Sequence, residues 1–265
     1  MFCLCELGAY MMNKDLFNME GKVLLITGAS SGIGESLAEL FARKKSSLVL
    51  LARRQERILS LAETLEKTYG IKCLPIPCDV SNEQQAVEAV QKAVHTFGRI
   101  DVLINNAGIT AKSEDITSHS TEQWESVLST NLDGAFYISR EAVKTMKEKR
   151  YGKIINISSV CGLMGLANQV SYAASKSGLI GLTRAMAVEL GKYNITVNAI
   201  APGYILTELT NEGSGGFRYF KSRTVSERVG TAEDLHGTAL LLASEASSYI
   251  SGAVIPVDGG ITANI

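Results

Sequence analysis

A chain of 265 residues, 46% of them hydrophobic, can bury a core large enough for one α/β sheet. Its 26 Lys+Arg stand against 27 Asp+Glu, a net charge of −1 that offers no strong field to gather nucleic acid or an anionic membrane surface. No apolar run approaches the roughly 20 residues that cross a bilayer, so neither a membrane nor a nucleic acid is expected as a partner.

Residues 1–19 lack a basic leader and a long apolar stretch, so they do not read as a secretory signal. They read as an N-terminal appendage, with Phe2, Leu4, Leu7 and Tyr10 as its contacts to the body. Residues 20–265 then form a single domain. The first apolar run, 23–26, leads into T-G-A-S-S-G-I-G at 27–34 and an amphipathic segment over 33–44. Strand, glycine turn and helix are the context of a dinucleotide site. Gly28 can take the tight turn, Gly32 lets backbone approach a pyrophosphate, and Gly34 lets helix pack on strand, with Ser30, Ser31 and Ile33 between them. The free N–H groups of the first helical turn face the phosphates.

The second run, 48–51, ends in Ala52-Arg53-Arg54. An NAD site needs a carboxylate there for the ribose hydroxyls. The first acid downstream is Glu56, inside the next helical pattern. Two arginines at a helix start oppose the helix dipole and call for an anion. Arg53, with Arg54 and Ser30 beside it, therefore predicts the 2′-phosphate of NADP(H).

Further apolar runs lie at 72–76, 102–104, 154–157, 196–200 and 253–257, with helical patterns over 54–69, 82–97, 121–149, 171–192 and 231–243. Nearly continuous apolar strands alternating with helices predict a doubly wound Rossmann fold, a seven-stranded parallel sheet with helices on both faces. The irregular, Gly-rich stretch 206–223 reads as a substrate loop acting as a lid.

Five scattered cysteines, Cys3, Cys5, Cys73, Cys78 and Cys161, show no C-x-x-C pairing and no zinc spacing, the pattern of reduced thiols in a cytoplasmic protein without a metal site. Cys161 reads as a core or pocket-lining residue. His95, His119 and His236 match no catalytic or metal position and read as surface residues.

The stretch Y-A-A-S-K at 172–176 puts Tyr172 and Lys176 on one helix face. A phenol with an ordinary pKa of about 10 is a poor acid or base at neutral pH. An ammonium ~5 Å away at an effective dielectric of ~20 favours the phenolate by roughly 3 kcal/mol, which predicts a phenol brought into working range.

Taken together, these motifs resemble the short-chain dehydrogenase/reductase family over residues 20–261. The resemblance rests on T-G-A-S-S-G-I-G, on C-D-V at 78–80, N-N-A-G at 105–108, Asn131, I-S-S at 157–159, Y-A-A-S-K and P-G at 202–203. It implies a catalytic set of Asn131, Ser159, Tyr172 and Lys176, with Ser158 structural. Hydride passes between nicotinamide and a carbonyl carbon, Tyr172 exchanges the proton, and Ser159 binds the same oxygen. Lys176 lowers the tyrosine pKa and holds ribose hydroxyls, and Asn131 holds a relay water. It also implies that Asp79 and Val80 flank adenine and that Asn106, Ala107 and Gly108 line the ribose channel. Pro202, Gly203, Ile205 and Thr207 then cap the nicotinamide.

The substrate class implied is a small carbonyl or alcohol, selected by 160–170 and 206–223. A C-terminal pattern of Arg223, Thr224, Arg228, Gly230, Glu233, Asp234 and Leu235 is similar to gluconate 5-dehydrogenases, which suggests a sugar acid such as 5-ketogluconate. The 3-oxoacyl-(acyl-carrier-protein) reductases are the alternative. Of their two basic carrier-docking positions Arg150 matches one, while Tyr193, beside Lys192, replaces the other. A non-catalytic NADP(H)-binding sensor or scaffold is the alternative of another class. A homotetramer is implied, pairing through 121–149 and 171–192, where Phe136, Ile138, Leu179 and Leu182 are expected to face a partner.

Overall fold

The computed structural model describes residues 15–112, 114–208, 210 and 215–264. The contacts expected of Phe2, Leu4, Leu7 and Tyr10, the thiols of Cys3 and Cys5, and residues 209 and 211–214 of the substrate loop lie outside the described residues. The strands are β1 (Val23–Thr27), β2 (Ser47–Ala52), β3 (Cys73–Pro77), β4 (Val102–Asn105), β5 (Gly152–Ile157), β6 (Ile195–Pro202) and β7 (Val254–Val257). They form one seven-stranded sheet in the order β3-β2-β1-β4-β5-β6-β7, parallel throughout.

Strands β1, β4, β5 and β6 are buried at every position, because helices cover both faces of the sheet. Alternate residues of β1 serve opposite cores: Leu24 and Ile26 pack with Leu37 and Phe41, whereas Val23 and Leu25 pack with Val49, Val90 and Met146. β3 carries Pro75 and Pro77, which an edge strand accommodates.

The helices are α1 (Gly32–Arg43), α2 (Gln55–Tyr69), α3 (Glu83–Phe97), α4 (Thr121–Leu128), α5 (Gly134–Lys149), α6 (Val170–Leu190), α7 (Gly215–Arg223) and α8 (His236–Ala243). Left-handed glycines end α2 and α3, at Gly70 and Gly98, and a Ser120–Gln123 capping box starts α4.

The structure departs from the sequence reading at four places. The helix expected over 121–149 is interrupted by a π-turn at Ser129–Asp133, a device frequent at functional sites. Part of the expected irregular loop is helical, forming α7. Met19, assigned to the appendage, is buried in the core, and its carbonyl accepts from Ser46 Oγ at 2.8 Å. Ile138 and Leu179, expected at a subunit interface, are buried within the monomer. Amphipathic spacing alone does not tell a core-facing stripe from a partner-facing one.

The sheet changes direction of winding between β1 and β4, and that crevice is held by backbone approach. A Cβ on Gly34 would stand 2.3 Å from the Gly28 carbonyl oxygen, and one on Gly28 would stand 2.8 Å from Ala107 Cα. Gly34→Ala should therefore destabilise the protein by about 1–3 kcal/mol through overpacking. Gly165, with no atom within 4 Å of an added Cβ, is the control. Thermal melts of Gly34→Ala and Gly165→Ala check this, and only the first should fall by several degrees.

Candidate active site

The crevice between β1 and β4 opens into a cleft of about 500 Å³ at the carboxyl ends of the strands. Its floor is tied down by the loop after β4. Asn106 and Ala107 donate their main-chain N–H groups to Thr27 Oγ1, both at 2.9 Å. The Asn106 side chain donates to the carbonyls of Thr27 and Gly28 at 2.9 and 3.2 Å. The glycine turn is thereby fixed against β4, with Ser30, Ser31, Gly32 and Ile33 facing the cleft. Every residue named from the sequence for cofactor or catalysis lines this cleft except Gly34 and Asn131, which stand behind its wall.

The other end of the cleft is built by β5 and α6. Lys176 is buried, and its ammonium donates to the Ile157 carbonyl at 2.8 Å. Ser158 also lines the cleft, with its Oγ donating to the Lys176 carbonyl at 3.0 Å, so this serine braces α6. Ser159 Oγ accepts from the Cys161 N–H at 3.1 Å and lies near enough to Tyr172 to favour its phenolate. The Lys176 ammonium lies 5.6 Å from the Tyr172 ring centre.

Asn131 sits in the π-turn, fully buried. Its Oδ1 accepts from the Ile109 N–H at 2.8 Å, and its Nδ2 donates to the Ile109 carbonyl and to Ser175 Oγ, each at 3.0 Å. The side chain expected to hold a water thus joins the β4 loop to α6. Gly108 makes the room, since a Cβ there would stand 3.3 Å from both Asn131 Oδ1 and Lys176 Nζ.

The electrostatics differ from the sequence expectation. Burial pushes the Tyr172 phenol up to about 12, with Cys161 adding to the rise and the Ser159 hydroxyl opposing it. Burial also pulls the Lys176 ammonium down to about 8. Desolvation outweighs the helpful charge because it penalises the ammonium as well as the phenolate. Cys161, buried against both, has its thiol pushed up by the same cause, which makes it an inert wall residue.

Beneath the site runs a buried polar chain that sequence reasoning missed. Asn105 Nδ2 donates to Ser139 Oγ and to Asn156 Oδ1, and Asn156 Nδ2 donates to Thr183 Oγ1, at 2.9, 2.8 and 2.8 Å. It links α5, β4, β5 and α6. The only hint in the sequence was a pair of asparagines inside apolar strands, which must find partners.

At the arginine edge the structure turns Arg54 inward. Its guanidinium donates to Ser30 Oγ and Ser31 Oγ at 3.1 and 2.5 Å, while Arg53 makes no hydrogen bond or ion pair among the described residues. Two segments expected to choose the substrate do meet. Val160, Met164 and Leu166 pack with Phe220, Tyr204 and Ile261 beside Ser159. The Arg228–Asp234 pair, at 2.6 and 2.8 Å, is separate from this cluster and fastens the C-terminal segment to itself.

Of the histidines, His95 is exposed as expected. His236 pairs with Ser36 Oγ at 2.8 Å, and half-buried His119 has both ring nitrogens shielded from solvent, so neither is a simple surface residue.

A family model described as enoyl-(acyl carrier protein) reductase matches residues 28–262. The chain is 42% identical to the 3-oxoacyl-(acyl-carrier-protein) reductase FabG of Thermotoga maritima over 244 residues, 92% of this chain and 98% of that one. It is 38% identical to the 2-dehydro-3-deoxy-D-gluconate 5-dehydrogenase of Dickeya dadantii over 255 residues, 94% of this chain and 98% of that one. Among solved structures, a putative NAD(P)-dependent gluconate 5-dehydrogenase of Beutenbergia cavernae with bound NADP superposes with a TM-score of 0.88. It is 34% identical and covers 94% of this chain and 99% of its own.

The electrostatic reading is directly measurable. Lysine side-chain NMR of the cofactor-free protein should show one ammonium titrating near 8, charged below and neutral above, and this signal should vanish in Lys176→Met.

Proposed function

The chain belongs to the short-chain dehydrogenase/reductase family of oxidoreductases acting on CH–OH groups, and from that premise we propose that it transfers a hydride between NADP(H) and a ketone or secondary alcohol, with a sugar acid such as 5-ketogluconate as substrate. The reading rests above all on one arrangement. Ser159, Tyr172 and Lys176 share a single cleft with the glycine turn and the arginine edge.

The cleft fits a phosphorylated dinucleotide. Gly28 and Gly32 line it with backbone, Ser30 and Ser31 offer hydroxyls, Arg53 and Arg54 offer guanidiniums, and β2 ends on Ala52 in place of an acid. Nicotinamide, when bound, supplies the hydride.

The remaining steps belong to this chain. Tyr172 gives its hydroxyl proton to the carbonyl oxygen in reduction and recovers it in oxidation. Ser159 hydrogen-bonds that oxygen and stabilises the charge developing on it. Lys176 holds ribose hydroxyls and supplies positive charge beside the phenol. Asn131 keeps the β4 loop and α6 in register. Burial holds the phenol protonated at neutral pH, the form that donates in reduction. We assign the segment 206–223 as the substrate loop of a single domain over 20–265. Free thiols at Cys73, Cys78 and Cys161 agree with the reducing cytoplasmic setting included in this reading.

Carrier-protein reduction is the second reading, since several relatives carry that name. The basic corner that would dock a carrier is formed by Arg150, whose guanidinium donates to the Lys192 carbonyl at 3.0 Å. It lies at the far end of α6 from Tyr172, about 30 Å away at 1.5 Å per residue. A small substrate entering the cleft directly fits this geometry better. A sensor or scaffold role has less support, because the serine, tyrosine and lysine are all in place.

Tyr172→Phe should retain NADPH affinity and lose more than about 99% of turnover, at least the lower end of the roughly 100- to 10,000-fold that a positioned acid contributes. The assay is NADPH oxidation with 5-ketogluconate, acetoacetyl thioesters and simple ketones. Turnover of the thioester alone would favour the second reading.

Assembly into a homotetramer is part of the proposal. Trp124, Phe136 and Val188 on α4, α5 and α6 are 40%, 41% and 86% exposed, and they replace Ile138 and Leu179 as the apolar residues a partner would cover. Light scattering at micromolar concentration should give four times the 28.4 kDa chain mass. A monomer would refute this.

A further inference from the structure

The end of β2 carries no carboxylate, yet the tertiary fold delivers one. Glu208, in the segment that follows β6, reaches the start of α2. Its Oε2 accepts from Arg54 Nη1 at 2.8 Å, and its Oε1 accepts from Arg57 Nη1. The two guanidiniums hold its carboxyl below the usual carboxylate range. Thr207, one residue earlier, packs on the glycine turn, its methyl 3.0 Å from where a Cβ on Gly32 would stand. Residues 205–208 therefore cross the cleft as a strap, resting on the glycine turn and fastened at the arginine edge.

The strap and a 2′-phosphate make the same demand on one side chain. A guanidinium binds a phosphate best through two N–H groups side by side. On Arg54 the Nε, Nη1 and Nη2 groups are already committed to Ser30, Glu208 and Ser31. A phosphate that approaches Nη1 meets the carboxylate there and has to displace it. Two anions cannot share the edge without repulsion. A cofactor with an unmodified ribose makes no such demand, and Glu208 can stay.

We propose that Glu208 is a specificity-determining residue that acts as an internal anion, competing with the 2′-phosphate of NADP(H) for Arg54 while leaving NAD(H) binding untouched. Arg57 is the second anchor and keeps Glu208 within reach when Arg54 turns to the phosphate. The strap is then fastened differently according to which dinucleotide occupies the cleft. This inference rests on the NADP(H) reading above.

The test is the affinity of wild-type protein and Glu208→Gln for NADPH and NADH, by calorimetry at low and high salt. Glu208 is 54% exposed at its side chain, so the variant should fold normally, which a thermal melt checks. Glu208→Gln should bind NADPH about 3- to 5-fold more tightly, the upper part of the range expected when an exposed ion pair is released. Its NADH affinity should stay within about twofold, and the NADPH gain should shrink as salt screens the charges. The fragment 2′,5′-ADP should show the same gain, and 5′-AMP none. Wild-type protein that binds NADH as tightly as NADPH overturns the cofactor reading itself. Wild-type protein that prefers NADPH, with a variant whose NADPH affinity is unchanged, weaker, or raised equally for NADH, overturns the role of Glu208 alone.

Discussion

The close approach of the glycine turn to the loop after β4 is the constraint from which the rest of the site follows. Thr27 Oγ1 accepts two main-chain N–H groups from that loop, and Asn106 returns two hydrogen bonds to the turn. This pins the carboxyl ends of β1 and β4 together where the winding of the sheet reverses. The amino end of α1 is set over the same crevice because Gly34 permits contact with Gly28. A phosphate site made of backbone N–H groups needs this rigidity, since peptide dipoles act only where they are held. Substitution of any one of these small residues would move all of the others.

The second half of the cleft is organised by burial. Lys176, buried, and Tyr172, half-buried, project from α6 beside Ile157, Ser158 and Cys161. Burial raises the phenol and lowers the ammonium, so both are held closer to their neutral forms than they would be in water. A phenol in that state keeps its proton and is a weaker acid than a phenol in water. The hydrogen-bonded chain from Ser139 through Asn105 and Asn156 to Thr183 keeps β4, β5 and α6 in one register. Asn131 does the same from the π-turn, through Ile109 and Ser175. Most of these links are buried, where an unmet polar group costs about 1–3 kcal/mol.

Between the two halves, the segment after β6 spans the opening. Its contacts are of two kinds. Thr207 meets the glycine turn by packing, which is insensitive to salt, whereas Glu208 meets Arg54 and Arg57 by charge, which is not. The apolar cluster of Val160, Phe220 and Ile261, with Tyr204 and Met164 against it, closes the substrate end. Helix α7, which supplies Phe220 to this cluster, also carries Arg218, Lys221 and Arg223. Arg223 stacks over Tyr219, with 4.7 Å between guanidinium and ring centre.

Local pattern in the sequence determined the strands, the glycine turn, the parallel winding and the Tyr172–Lys176 pair. Each is a short-range matter: two-faced burial writes itself as continuous apolar runs, and a helix sets residues four apart on one face. The choice of Ser159 over Ser158 came from family resemblance, since two adjacent serines look alike in the letters. Only the tertiary structure decided what depends on distance through space. It brought Glu208 to Arg54 across 154 residues, buried Ile138 and Leu179 inside the monomer, and committed the Asn131 amide to protein partners. It also reversed the expected shift of the Tyr172 phenol. Charge spacing along a chain is readable from its letters, but desolvation is set by everything packed around a group, and that packing exists only in the folded state.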